Sequence, residues 1–167
     1  RVGTTPASLQ FATPATGWGA NAAYRWSNGE AGVDVRAAEG ETHELFRFIG
    51  SNFTRSRIAG GHTLGAGAYL ESWRAAGPWL FSGGVRLDYW RAYDGLRFER
   101  DLATNLPTLD LQPEDSDAWA PTARVGVKRS VGKLYLRGAL YTGFRPPTLN
   151  ELHRPFRVGN DITEANP

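Results

Sequence analysis

Apolar and polar residues alternate with period two along much of this chain, and that rhythm suits an extended strand with one greasy and one wet face. In 79–93, Trp79, Phe81, Val85, Leu87 and Tyr89 share one face, and Ser82, Gly84, Arg86 and Asp88 share the other. In 118–130, Trp119, Pro121, Ala123, Val125 and Val127 oppose Ala120, Thr122, Arg124, Gly126 and Lys128. In 133–144, Leu134, Leu136, Leu140 and Phe144 oppose Lys133, Tyr135, Arg137 and Tyr141, with Arg145 next in that series. Fainter copies occupy 18–27 (Ala20, Ala22, Tyr24, Trp26), 31–40 (Val33, Val35, Ala37) and 62–74 (Leu64, Ala66, Ala68, Leu70). Helical periodicity is weak throughout. The expectation is an all-β antiparallel meander of about six strands over these ranges.

The connections sharpen the reading, because they alternate between short and long. Ser27-Asn28-Gly29-Glu30, Ala75-Ala76-Gly77-Pro78 and Ser130-Val131-Gly132-Lys133 read as tight turns. Long polar stretches at 41–61, 94–117 and 145–167 are expected as loops. Strands of about ten residues with short turns at one end and long loops at the other match an outer-membrane β-barrel. Trp26, Trp73 and Trp79 fall beside the short turns, and Tyr89, Trp90, Tyr93 and Trp119 beside a long one, as two interfacial girdles require. The competing architecture is a soluble β-sandwich that seals the greasy faces inside and binds a ligand, such as a carbohydrate, through exposed Trp90 and Trp119.

Bulk composition does not separate these two. Hydrophobic residues are 41% and charged ones 22%, ordinary for a globular chain, and every second residue of a membrane strand is polar anyway. Absence of cysteine rules out thiolate chemistry, disulfides and Cys-based zinc sites. His43, His62 and His153 lack a ligand spacing such as H-E-x-x-H, and no nucleophile elbow, phosphate loop or dinucleotide fingerprint occurs. No catalytic residue, cofactor or metal site is expected. Basic and acidic residues are interleaved, with a net charge of +2, which gives no footprint for nucleic acid.

The run Tyr141-Thr142-Gly143-Phe144-Arg145-Pro146-Pro147-Thr148-Leu149-Asn150-Glu151-Leu152 resembles a stretch of TonB-dependent outer-membrane receptors. There a barrel strand ends in Gly-Phe-Arg and runs into Pro-Thr-x-x-Glu-Leu. Arg154-Pro155-Phe156-Arg157-Val158-Gly159-Asn160-Asp161 and Ala165-Asn166-Pro167 continue the likeness, which spans about residue 18 to the end. The resemblance implies a 22-stranded barrel around an amino-terminal plug, preceded by a short box that contacts the TonB complex. Neither plug nor box is visible here, and six strands do not close such a barrel, so the chain is expected to be part of a larger receptor. The implied activity is energised uptake of a scarce nutrient, such as a siderophore or other metal chelate; a passive porin-like barrel is the related alternative. The implied partners are the plug and remaining strands of the same receptor, outer-membrane lipid, the TonB complex and a small-molecule ligand. Arg86, Asp88, Arg124, Lys128, Arg137 and Arg145 would face the lumen and meet plug groups or an anionic ligand.

Overall fold

A computed structural model of the chain describes residues 6–153, 156–158 and 161–163. Eight strands form one antiparallel sheet: β1 Ser8–Ala12, β2 Ala15–Trp26, β3 Gly29–Ile49, β4 Asn52–Ala76, β5 Trp79–Asp101, β6 Pro107–Leu111, β7 Ser116–Val131 and β8 Leu134–Tyr141. β1 and β2 follow one another along the same edge of β3, and β6 and β7 do so along β5. The sheet is therefore six strand positions wide, and the chain meanders through them in order. A five-residue helix, α1 (Leu149–His153), and a small hairpin of β9 (Phe156–Val158) and β10 (Asp161–Thr163) complete the described chain.

Two expected loops are largely strand. Pairing of β3 with β4 continues without a register shift from Gly29↔Ser72 to Ile49↔Asn52, so 41–61 is the far half of one hairpin. Its tip, Gly50-Ser51, has positive φ at both residues (58° and 70°), the type I′ pattern whose twist matches the flanking strands. Likewise β5 runs on to Asp101 and returns as β6 within 94–117, while α1 and the β9–β10 hairpin lie in 145–167. Alternation fades in these parts because both faces carry charge; the backbone ladder, already in register, continues regardless. β8 errs the other way and stops at Tyr141, leaving Phe144 and Arg145 beyond the strand.

At the opposite end all three turns are two residues long. Gly77 and Gly132 hold φ of 57° and 59° at the first loop position, where a II′ turn places glycine. The Asn28-Gly29 signal is used differently: the loop is Ser27-Asn28, and Gly29 opens β3 beneath the Trp26 indole, which a Cβ would strike at 2.3 Å. These turns recede across the sheet. Relative to the row holding Trp26 and Gly29, the second turn lies four residues further along β4 (Ser72 to Ala76), and the third six further along β7 (Val125 to Val131). With about 3.3 Å per residue and about 4.8 Å between strands, a line through the turns is inclined about 45° to the strand normal.

The ladder assembles one continuous apolar face. Ala20, Val35, Ala66, Tyr89 and Trp119 sit side by side; Ala22, Val33, Ala68, Leu87 and Pro121 form the next row, and Tyr24, Ala31, Leu70, Val85 and Ala123 the one after. Nothing among the described residues covers this face: Val85 and Val125 are each 58% exposed and Leu136 72%. The sealed core of a β-sandwich is not formed. The chain exposes 11891 Å², against about 8,100 Å² for a folded monomer of its mass.

Parity also corrects two aromatic residues. Trp73 and Trp90 lie on the polar face, opposite Tyr89 and Trp119, and Trp90 is only 7% exposed, packed with Ala92, Ala118 and Leu152 of α1. It offers no open platform for a sugar. The apolar face instead ends in Trp26 and Trp79 on the short-turn side and in Trp18, Tyr89 and Trp119 on the other, with Tyr89 and Trp119 rings 5.0 Å apart.

Where β4 meets β5 the register shifts beside Gly60, and a Cβ there would lie 2.2 Å from the Gly40 carbonyl oxygen. Backbone blocks it, so Gly60→Ala should destabilise the folded protein by about 2 kcal/mol. Gly138→Ala, which meets nothing within 4 Å, should be near neutral. Thermal unfolding of both variants checks the contrast; equal losses would refute it.

Candidate functional site

The polar face brings Arg86 and Asp88 together, as expected, and adds an unexpected third member. Arg86 Nη1 lies 2.7 Å from Asp34 Oδ2, while its Nε and Nη2 donate to Asp88 Oδ1 at 2.9 and 2.6 Å. Between the two carboxylates stands Gly67, paired with Asp34 on one side and Asp88 on the other. A Cβ at Gly67 would fall 2.1 Å from Arg86 Nη2, so its absence lets the guanidinium reach across a whole strand. Period two alone puts Asp34 opposite Val33 and Val35, on the polar face, but its pairing to β5 through β4 is a long-range fact.

Towards the short turns the same face carries a second set. Arg25 Nε donates to Glu30 Oε2 at 2.6 Å, the Tyr69 hydroxyl donates to Glu30 Oε1 at 2.5 Å, and Arg124 pairs with Glu71. Glu30 and Glu71 face each other directly across β3 and β4, an arrangement that like charges resist unless each has its own cation. Arg25 and Arg124 supply those cations from opposite sides. Glu30, Tyr69, Glu71, Arg86 and Arg124 border an open concavity of about 760 Å³. Its carboxylates and guanidiniums are mutually paired, so the wall presents hydrogen-bonding groups without a strong net field.

The remaining expected residues are dispersed. Arg137 stands exposed opposite Lys128 on the polar face, and Lys128 Nζ sits 4.6 Å over the Tyr135 ring. Arg145 is not on the strand wall. It follows β8 and clasps Glu151 through both guanidinium ends, at 2.7 and 3.1 Å. That clasp explains the motif. Thr148 Oγ1 accepts from the Glu151 N–H (3.3 Å) while Glu151 Oε2 accepts from the Thr148 N–H (2.7 Å), a reciprocal capping box opening α1. Leu152, 4% exposed, then anchors the turn on Trp90. The Thr-x-x-Glu spacing was the available signal for this cap. Arg154-Pro155, Gly159-Asn160 and residues 164–167 of the resemblance lie outside the described residues.

A further polar-face network escaped sequence reasoning because it lies in an expected loop. Arg57 Nη1 reaches Glu44 Oε1 and its Nε reaches Glu99 Oε1, both at 2.8 Å, and Arg97 also binds Glu99 at 3.0 Å. Glu44 is 2% exposed and Arg57 stacks on the Phe46 ring at 4.2 Å. A buried ion pair that loses one partner costs about 3–5 kcal/mol, so these four residues hold the extended parts of β3, β4 and β5 as a unit. His62 lies on β4 beside Glu39 (3.3 Å), and His43, within the expected loop 41–61, lies on β3 beside Glu41 (2.9 Å).

Comparison of the chain with protein-family models, curated proteins and solved structures gave no match.

The Arg145 hydrogen bonds, with the Thr148 N–H and hydroxyl, pull the Glu151 carboxyl from 4.5 down to about 2. A lowered folded-state value stabilises above the unfolded value and is lost on acidification through the folded one. Ordering of α1 should therefore be complete above pH 4.5 and fall away as pH drops towards 2. Hydrogen exchange at the Leu152 amide, corrected for its intrinsic rate, reads this directly; unchanged protection across that interval would contradict the cap.

Proposed function

We propose that this sheet is a wall segment of an outer-membrane β-barrel of the TonB-dependent receptor type, engaged in energised uptake of a scarce nutrient such as a siderophore or other metal chelate. The observation that carries the reading is the uncovered apolar band. It runs over 18–26 on β2 and 79–89 on β5, each bounded by aromatic residues. Those lengths match the roughly 9–11 residues with which a tilted strand crosses a bilayer. Laying the three short turns along one membrane plane tilts the strands by about 45°, at the upper edge of the range for such barrels. In water the band would leave this chain without the burial needed to offset its ordering entropy; in lipid it is solvated as it stands.

The rest of the receptor follows from this placement. The polar face lines the interior, where its paired charges meet plug or ligand groups. The edges of β2 and β8 not joined within this sheet pair with the remaining barrel strands, since a closed barrel leaves no edge in lipid. The extended ends of β3, β4 and β5 rise beyond the band as the outer vestibule. Coupling to the TonB complex belongs to the plug-bearing part of the receptor, and the Arg145–Glu151 clasp folds α1 onto the inner wall.

This chain contributes no cysteine, so single cysteines introduced into a full polypeptide whose other cysteines are replaced by serine report topology without background. In intact cells making the full polypeptide, Ser51→Cys should react with a membrane-impermeant maleimide and Lys133→Cys only after permeabilisation. Equal labelling of both in intact cells would sink the proposed topology. Accumulation of labelled ferric chelates should fall when the gene is deleted, and a protonophore should abolish the gene-dependent part. Uptake that persists in de-energised cells would point to a passive pore.

A further inference from the structure

Charge is distributed unevenly about the apolar band. Residues 73–82 and 126–139, which build two of its three short turns, contain Arg74, Lys128, Arg129, Lys133 and Arg137 and no acidic residue, while beside the first turn Glu30 lies on the polar face and is paired with Arg25. On the apolar side of the opposite end lie Glu39, Glu41 and Asp117, with His62 beside Glu39, His43 beside Glu41 and Arg91 tied to Asp115 at 2.7 Å. Lys128 and Arg137 turn to the polar face, but Arg74 and Arg129 share the apolar face with Phe81, Trp79 and Val127.

Both guanidiniums are exposed and neither has a carboxylate partner among the described residues. Arg129 lies 4.9 Å over the Trp79 ring, which stacks on Phe81 with centroids 6.1 Å apart. Arg74 flanks the same pair from β4, directly across from Phe81. Two fixed cations therefore bracket an aromatic step at the rim of a surface that demands acyl chains. Water alone satisfies neither the rings nor the alkyl face, whereas an anionic amphiphile satisfies both at once.

We infer that Arg74 and Arg129, with Lys133 in the adjoining turn, form a docking site for the phosphate headgroup of an anionic phospholipid in the leaflet on the short-turn side. The inference rests on the membrane reading above. The phosphate meets the guanidiniums through charge-assisted hydrogen bonds, its acyl chains lie along Phe81, Val127 and Val85, and Trp79 holds the interface depth. The acidic opposite rim repels the same headgroup, so the site also favours one orientation of the band.

The test uses the full polypeptide purified in a neutral detergent, with phosphatidylglycerol and phosphatidylcholine as probes and native mass spectrometry to compare their retention. The unaltered protein should prefer phosphatidylglycerol, and that preference should fall about fivefold for each of Arg74→Gln and Arg129→Gln. The Arg74→Lys/Arg129→Lys protein, which keeps the charge, should retain most of it. Equal retention of the two lipids, or an undiminished preference in the Arg74→Gln/Arg129→Gln protein, overturns the docking site while leaving a membrane-inserted barrel intact. Failure to insert into vesicles of either lipid would instead overturn the membrane reading and the docking site with it.

Discussion

Backbone hydrogen bonding between long antiparallel strands carries this molecule, since side chains provide almost no core. Among the described residues the buried hydrophobic ones are Ala59, Trp90, Ala92, Ala120 and Leu152, and most of these are small. Soluble domains rely on apolar burial to offset the entropy of ordering. Here the ladder from β1 to β8 aligns apolar side chains beside one another and places nothing above them. The proposed barrel would shield such a ladder from water's competition for hydrogen bonds and give the apolar rows a non-aqueous neighbour.

The polar face follows another logic. Its charges are arranged as interlocked pairs: Asp34–Arg86–Asp88, Arg25–Glu30 and Glu71–Arg124 on the wall, and Glu44–Arg57–Glu99–Arg97 in the extension. Each network ties different strands together, although Arg86–Asp88 and Arg97–Glu99 are links within β5, so it restrains register as well as charge. Glycine is part of the same design. Gly67 clears a path for Arg86, and Gly32 lies beneath the Tyr69 ring, whose atoms a Cβ would meet at 2.5 Å. Large polar side chains can lie flat on the sheet only because the neighbouring position is empty.

Much of this was readable before any coordinates. The six alternating stretches became six strand positions in the expected order, and two of the three tight turns hold the glycine that marked them, the third closing one residue before Gly29. Parity alone separates Tyr89 from Trp90, so grouping both in one girdle neglected the rule that identified the strand. The far halves of β3, β4 and β5 escaped because alternation fades where both faces carry charge, although their ladders continue. Arg145 was misplaced on the wall because the strand reading was carried to Phe144 and its parity extended one residue further, whereas β8 ends at Tyr141, ahead of Pro146, which cannot donate to a ladder.

Residue order alone specified which side chains share a face and where the chain reverses, because both follow from neighbours along the backbone: side-chain parity in one case, glycine at positive φ in the other. Which carboxylate meets which guanidinium was settled by packing. Asp34 and Arg86 lie on different strands with a third between them, and their contact depends on the register of two ladders and on the vacancy at Gly67. The same holds for Trp90 and Leu152, brought together only when a capped turn folds back over the sheet. Local stereochemistry writes the first kind of information into the sequence directly, whereas the second exists only once distant strands have been set side by side.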